Sequence, residues 1–212
     1  MDEYLAALVA HDPSRLPLAQ DAPFTENGQQ LELGDGLWHT MSARGTYSFY
    51  VDDLRTGQVG FFGTIRENET PAILALRLKA HGGSISEIET LVARGDASRS
   101  HGEHGATELE KLNGPNPVFL EDVIPSQRAS RDDLIRTANK YFSGLERNDG
   151  KGEYRFTSDC NRLENDEQTT NHPRGDNPQR FDVKALGLQG AVRERLLSFC
   201  HAHSGSPLCD GG

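Results

Sequence analysis

The sequence predicts an α+β fold in which helices pack on one face of a curved antiparallel sheet, with a partial second copy after it. Apolar residues recur at helical spacing over the first ten positions, at a period of two from about residue 45 to 94, and at helical spacing again after residue 130. Helices that precede a meander of strands are the pattern of an α+β domain with its helices on one sheet face. The expected organisation is an α+β domain over 1–95, a linker over 96–129, a partial second copy over 130–186 and a divergent tail over 187–212.

Between Asp2 and Ala10, the residues Tyr4, Leu5, Leu8 and Val9 share one helical face, and Asp2 and Glu3 sit where the helix dipole favours negative charge. His11-Asp12-Pro13 ends this helix, because the residue before a proline is pushed out of the α region. Asp12 or Ser14 can cap a short second helix, which Pro17 limits to a turn or two. Phe24 to Gly28 reads as a short extended piece that ends in an Asn-Gly turn, and Leu31 to Trp38 reads as irregular with room for one helical turn. Strands are expected at Thr46 to Val51, Gly57 to Arg66, Pro71 to Ala80 and Ser84 to Val92, joined by short turns. His81-Gly82-Gly83 is a hairpin signal.

Past Arg94 the composition turns polar and glycine-containing, as in a loop or linker, with a short helix over Ala106 to Leu112. An amphipathic helix begins near Ser130 and turns Leu134, Ile135, Ala138, Tyr141, Phe142 and Leu145 inward. It repeats the opening of the chain. Tyr141, Phe142 and Leu145 follow Tyr4, Leu5 and Leu8 at an offset of 137, and Glu164-Asn165 follows Glu26-Asn27 at an offset of 138. The residues that follow are too few for a second sheet of the first copy's size.

The net charge of −10 argues against a nucleic-acid partner, since such affinity comes from Lys and Arg that neutralise phosphates. No apolar run reaches the length of a membrane span, and no basic segment with an apolar stretch opens the chain. Mean hydropathy is −0.63, and a soluble cytoplasmic protein is the expectation. The three cysteines do not form an even disulfide set, so reduced thiols are expected.

Ala7 to Pro17, Thr56 to Thr64 and Ile85 to Thr90 resemble segments of the nuclear transport factor 2-like superfamily, which includes ketosteroid isomerase and the SnoaL-like cyclases. Within it they resemble a group of two-copy bacterial and fungal proteins of unassigned activity. Tyr141 to Glu146 and Asp159 to Asn165 resemble the start of that group's second copy. Beyond Gly187 the chain departs from the pattern, as a divergent or truncated end would. The resemblance implies a cone-shaped interior between helices and sheet, used for proton transfer, dehydration, cyclisation or ligand binding. No catalytic residue transfers from ketosteroid isomerase.

Acid/base work in such an interior needs a shielded titratable group and a donor for developing negative charge. The catalytic candidates are Glu89, His39 and Tyr47; the ligand-binding candidates are Trp38, Glu26, Asn27, Arg77, Glu164 and Asn165. Glu89 alternates in phase with Ile85 and Leu91, so it becomes a desolvated base if that face is concave, and an ion-pair partner of Arg77 if the face is exposed. His39 is either a base or a ligand for a loop carbonyl, and Tyr47 is either an oxyanion donor or a core aromatic. His101-Gly102-Glu103-His104 and the residues Cys200, His201, His203 and Cys209 lack a partner set for zinc, so no metal or cofactor is expected.

Two functions fit these residues. One is a cofactor-independent lyase or isomerase acting on a small apolar organic molecule. The other is a non-catalytic ligand-binding module, or a module that forms a homodimer through the outer face of its sheet. Burial separates them: Glu89 and His39 buried around one interior favour the enzyme, and both exposed favour the module.

Overall fold

The computed structural model describes residues 1–94, 105–147, 160–164, 167–168 and 198–202. The chain divides into two compact units, Met1–Phe119 and Leu120–Gly212.

The first unit is α+β. Helix α1 (Asp2–Val9) is followed by a 3-10 turn at Pro13–Arg15, where Asp12 accepts a hydrogen bond from the Ser14 N–H at 3.1 Å. The short strands β1 (Phe24–Glu26) and β2 (Gln29–Leu31) form a hairpin across Asn27 and Gly28, whose φ values of 50 and 79 are those the tight Asn-Gly turn requires. Helix α2 (Leu37–Thr40) leads into the meander β3 (Met41–Asp53), β4 (Gln58–Glu67), β5 (Thr70–His81) and β6 (Ser84–Arg94).

Together these form one open six-stranded sheet in the order β2-β1-β6-β5-β4-β3. The sheet is mixed, not wholly antiparallel as expected, because β1 pairs with β6 in parallel, Glu26 opposite Thr90. A pairing at the far edge between segments some 60 residues apart leaves no local signal in either. Register shifts between Arg44 and Ser48 and between Lys79 and Ala80 interrupt the ladders and bend the sheet.

The helix-facing side holds the main core: Tyr4, Leu5 and Leu8 of α1 and Leu37 and Trp38 of α2 meet Phe61, Ile65, Leu74, Leu76, Leu78, Ile88 and Val92 of the sheet. Helix α1 thus buries the face its spacing predicted. The opposite side is not bare. Helix α3 (Ala106–Lys111), within the expected linker, packs across β3, β4 and β5, and Tyr47, Thr64, Ile73, Ala75, Ala106 and Leu109 are all buried. Arg66 clamps Glu110 through two hydrogen bonds of 2.6 and 2.7 Å, and an added Cβ at Gly45 would collide with Thr64 and Glu110. The first unit therefore runs past the expected end at 95.

In the second unit, α4 (Arg131–Arg147) is the long helix expected from Ser130, but Leu134, Ile135 and Ala138, expected to face inward, are exposed. Strands β7 (Cys160–Glu164) and β8 (Glu167–Gln168) form a hairpin, and β9 (Ser198–Ala202) pairs antiparallel with the other edge of β7. The hairpin pairs Glu164 with Glu167 and Leu163 with Gln168, the register that β1 and β2 use for Glu26 with Gln29 and Thr25 with Gln30. The other edge of β7 differs from that of β1, whose inner neighbour β6 is parallel. Most of the expected tail lies outside the described residues. No helix among the described residues is long and apolar enough to cross a membrane.

Candidate functional site

The Glu26-Asn27 turn sits where β1, β6 and the start of α2 converge. Glu26 is buried at the end of β1, with its carboxylate turned toward α2. One oxygen accepts the Leu37 N–H at 2.7 Å, which satisfies a first-turn donor of the helix, and the other accepts Arg94 at 2.6 Å. Gly36, at φ 60, makes room for this carboxylate, since an added Cβ would strike it. Arg94 also donates to Glu67 at 2.5 Å, and Thr40 donates to the other Glu67 oxygen at 2.6 Å. Burial pushes the Glu67 pKa up, but the hydrogen bonds from Arg94 and Thr40 outweigh it and leave the group below its ordinary value. Asn27 works beside Glu26 as a sheet residue: its side chain accepts the Val92 N–H at 2.8 Å and donates to the Val92 carbonyl at 3.2 Å. Two residues expected to bind ligand thus anchor α2 and staple β1 to β6.

Around this anchor stand three buried polar atoms that make no hydrogen bond: the Tyr4 hydroxyl, the Trp38 indole nitrogen and the Thr90 hydroxyl. Tyr4 and Trp38 are each 1% exposed and meet edge to face, with ring centroids 5.3 Å apart. Thr90 lies directly across from Glu26 and in phase with Ile88 and Val92, so it faces the helices. Burial pushes the Tyr4 pKa up, the nearby Trp38 N–H acts against it, and the negative charge of Glu26 adds to the rise. The phenol is therefore neutral and keeps its proton. An unpaired buried polar group costs about 1–3 kcal/mol, and three on one side of a sheet call for an explanation.

The catalytic candidates lie elsewhere. Glu89 is on the sheet face away from α1 and α2, its side chain 48% exposed, and Arg77 donates to it at 2.9 Å. Arg77 also bonds Glu87 at 3.1 Å, and Lys79 bonds Glu87 at 2.6 Å. This is the ion-paired, exposed alternative for Glu89, and the reason is local. The register shift opposite Ile85 breaks the alternation, so Ile85 packs on the helix-side core while Glu89 does not. His39 protrudes from α2, 71% exposed, 3.5 Å from Asp35. Tyr47 is buried on the far face, edge to face with Phe62 at 6.0 Å, where β3, β4 and β5 carry α3. Glu89, His39 and Tyr47 are thus not brought together on the helix side, whereas Trp38 and Glu26 are. Glu164 ends β7 and Asn165 lies outside the described residues.

Sequence reasoning treated Tyr4 as a core aromatic and passed over Thr90. The signal for Thr90 was a lone hydroxyl in phase with two branched apolar residues. For Tyr4 it was a phenol on the most buried stripe of α1, which needs a partner for its hydroxyl. Among the described residues, no group of three or more His, Cys, Asp or Glu could hold a metal ion.

A family model described as a domain of unknown function (DUF8021) matches residues 127–201, within the second unit. No curated protein and no solved structure matches the chain.

Proposed function

We propose that the first unit is a nuclear transport factor 2-like domain that binds a small, largely apolar organic molecule between α1, α2 and the sheet, as a non-catalytic ligand-binding module. The observation that carries this reading is the set of unpartnered buried atoms on Tyr4, Trp38 and Thr90, of which Tyr4 and Trp38 belong to the same apolar core as Leu5, Leu8, Leu37, Leu76 and Ile88. Ligand sites combine such an apolar lining with a few polar groups that fix orientation. The exposure of both Glu89 and His39 supports a module over a lyase or isomerase. A homodimer through the outer sheet face has less support, because α3 packs on that face.

The order of helix, short hairpin and four-strand meander supports the superfamily reading for this unit. A helix followed by a hairpin of the same register supports a partial second copy in the second unit. A cytoplasmic setting with reduced thiols completes the proposal.

Thermal unfolding of the full chain in buffer saturated with isopropylbenzene tests it, with the fluorescence of Trp38, the sole tryptophan, as readout. A ligand that binds only the folded state raises the midpoint. An unchanged midpoint overturns the proposal.

A further inference from the structure

The dipeptide Asn-Gly occurs twice in the sequence, at Asn27-Gly28 and at Asn113-Gly114, and the fold places the two copies in opposite circumstances. Asparagine before glycine is prone to attack by the next backbone nitrogen, because glycine has no side chain to hold that nitrogen away from the carboxamide. Both asparagines lie in turns with left-handed backbones, at φ 50 and 56. Their side chains differ. The Asn27 carboxamide is tied at both atoms, its oxygen accepting the Val92 N–H at 2.8 Å and its nitrogen donating to the Val92 carbonyl at 3.2 Å. Turning it back onto Gly28 breaks both bonds. Asn113 is exposed, and among the described residues its side chain has no hydrogen-bond partner. Its neighbour Gly114, at φ 135, has open space where a side chain would stand.

We propose that Asn113 is a site of spontaneous deamidation whose product weakens the attachment of α3, while Asn27 is protected by its bonds to Val92. The Gly114 backbone nitrogen, on losing its proton to hydroxide, attacks Cγ of Asn113; the N–Cγ bond forms, the Cγ–Nδ2 bond breaks, and ammonia leaves. Water then opens the cyclic imide at either carbonyl, which gives aspartate or its isomer with the backbone routed through Cβ. One water is consumed and one ammonia released, with no change in oxidation state. The product forms at the end of α3. There the Asn113 N–H donates to the Glu110 carbonyl at 3.3 Å, and Thr46 of β3 donates to the same carbonyl at 3.3 Å. A carboxylate is disfavoured at the carbonyl end of a helix, and the extra backbone carbon of the isomer displaces that N–H. Glu110 is also the residue that Arg66 holds through two hydrogen bonds.

The test incubates the full chain in mildly alkaline buffer, folded and in urea, and maps the conversion of amide to acid at each Asn-Gly pair by mass spectrometry of its peptides. In the folded chain Asn113 is expected to react on the order of ten-fold or more faster than Asn27, whose two hydrogen bonds must break first. In urea the two rates converge. Equal rates in the folded chain, or no reaction there at Asn113, overturn the proposal. Stability is the second readout, followed through the urea midpoint by Trp38 fluorescence. The midpoint is expected to fall in aged wild type in step with the modified fraction, and to hold in aged Asn113→Gln, where a larger ring would have to close. A midpoint that stays constant as Asn113 is modified overturns the link to α3, and so does an equal fall in Asn113→Gln.

Discussion

Replacing Tyr4 with phenylalanine removes one oxygen from the core and leaves in place the ring, its edge-to-face packing on Trp38 and the apolar stripe of α1. In the free protein that oxygen makes no hydrogen bond. Its removal relieves a desolvation penalty of about 1–3 kcal/mol. The dispersion attraction between that one atom and its neighbours opposes this by under about 1 kcal/mol. Tyr4→Phe should therefore stabilise the first unit by about 1 kcal/mol, an unusual direction for a change at a fully buried position. For a unit of this size the midpoint should rise by roughly 3–6 °C. Trp38 is the only tryptophan and lies in the first unit, so its fluorescence follows that unit through thermal and urea unfolding. A loss of about 1 kcal/mol or more would mean that the hydroxyl is hydrogen-bonded in the free protein, and the case built on unpaired donors would fail.

Gly36→Ala should destabilise the same unit by between about 2 and 6 kcal/mol, from backbone strain and from displacement of the buried Glu26 carboxylate; an unchanged urea midpoint would contradict the role given to Glu26. Hydrogen bonds from Arg66 hold the Glu110 pKa below its ordinary value near 4.5, against the opposing effect of burial. Protonation is thus harder in the folded state, so this stabilisation is present above that ordinary value and is lost as pH falls through the folded value. Urea midpoints measured from about pH 7 downward should fall in acid, and less steeply in Glu110→Gln; parallel curves would count against the clamp on α3. Glu89→Gln breaks only an exposed pair and should cost under about 1 kcal/mol, with the response to isopropylbenzene intact. Loss of that response would return Glu89 to the site.

Much of the fold was legible because each element carries its own period. Tyr4, Leu5 and Leu8 announce α1, and Asn27-Gly28 announces the β1–β2 turn. The strands β4 to β6 follow from alternation and hairpin signals. What escaped is non-local. Nothing in Phe24-Thr25-Glu26 tells that its neighbour is β6 and parallel, and nothing in Ala106 to Lys111 tells that this short helix covers the outer face of the sheet. The site was misread for a related reason. A single register shift beside Ile85 reverses which residues of β6 face the helices, which puts Glu89 outside and Thr90 inside. Glu26 and Asn27 stood out as polar residues at a turn. Their bonds to Leu37, Arg94 and Val92 join segments up to 68 residues apart, which only the folded chain brings together.

The indole N–H of Trp38 is the most direct witness to a ligand in the interior. With one tryptophan in the chain, a proton–nitrogen correlation spectrum contains a single indole signal from a group that is buried and unbonded in the free protein. Titration with isopropylbenzene should move that signal saturably. An indole signal that isopropylbenzene does not move, at concentrations that saturate any effect on unfolding, would contradict binding at this site.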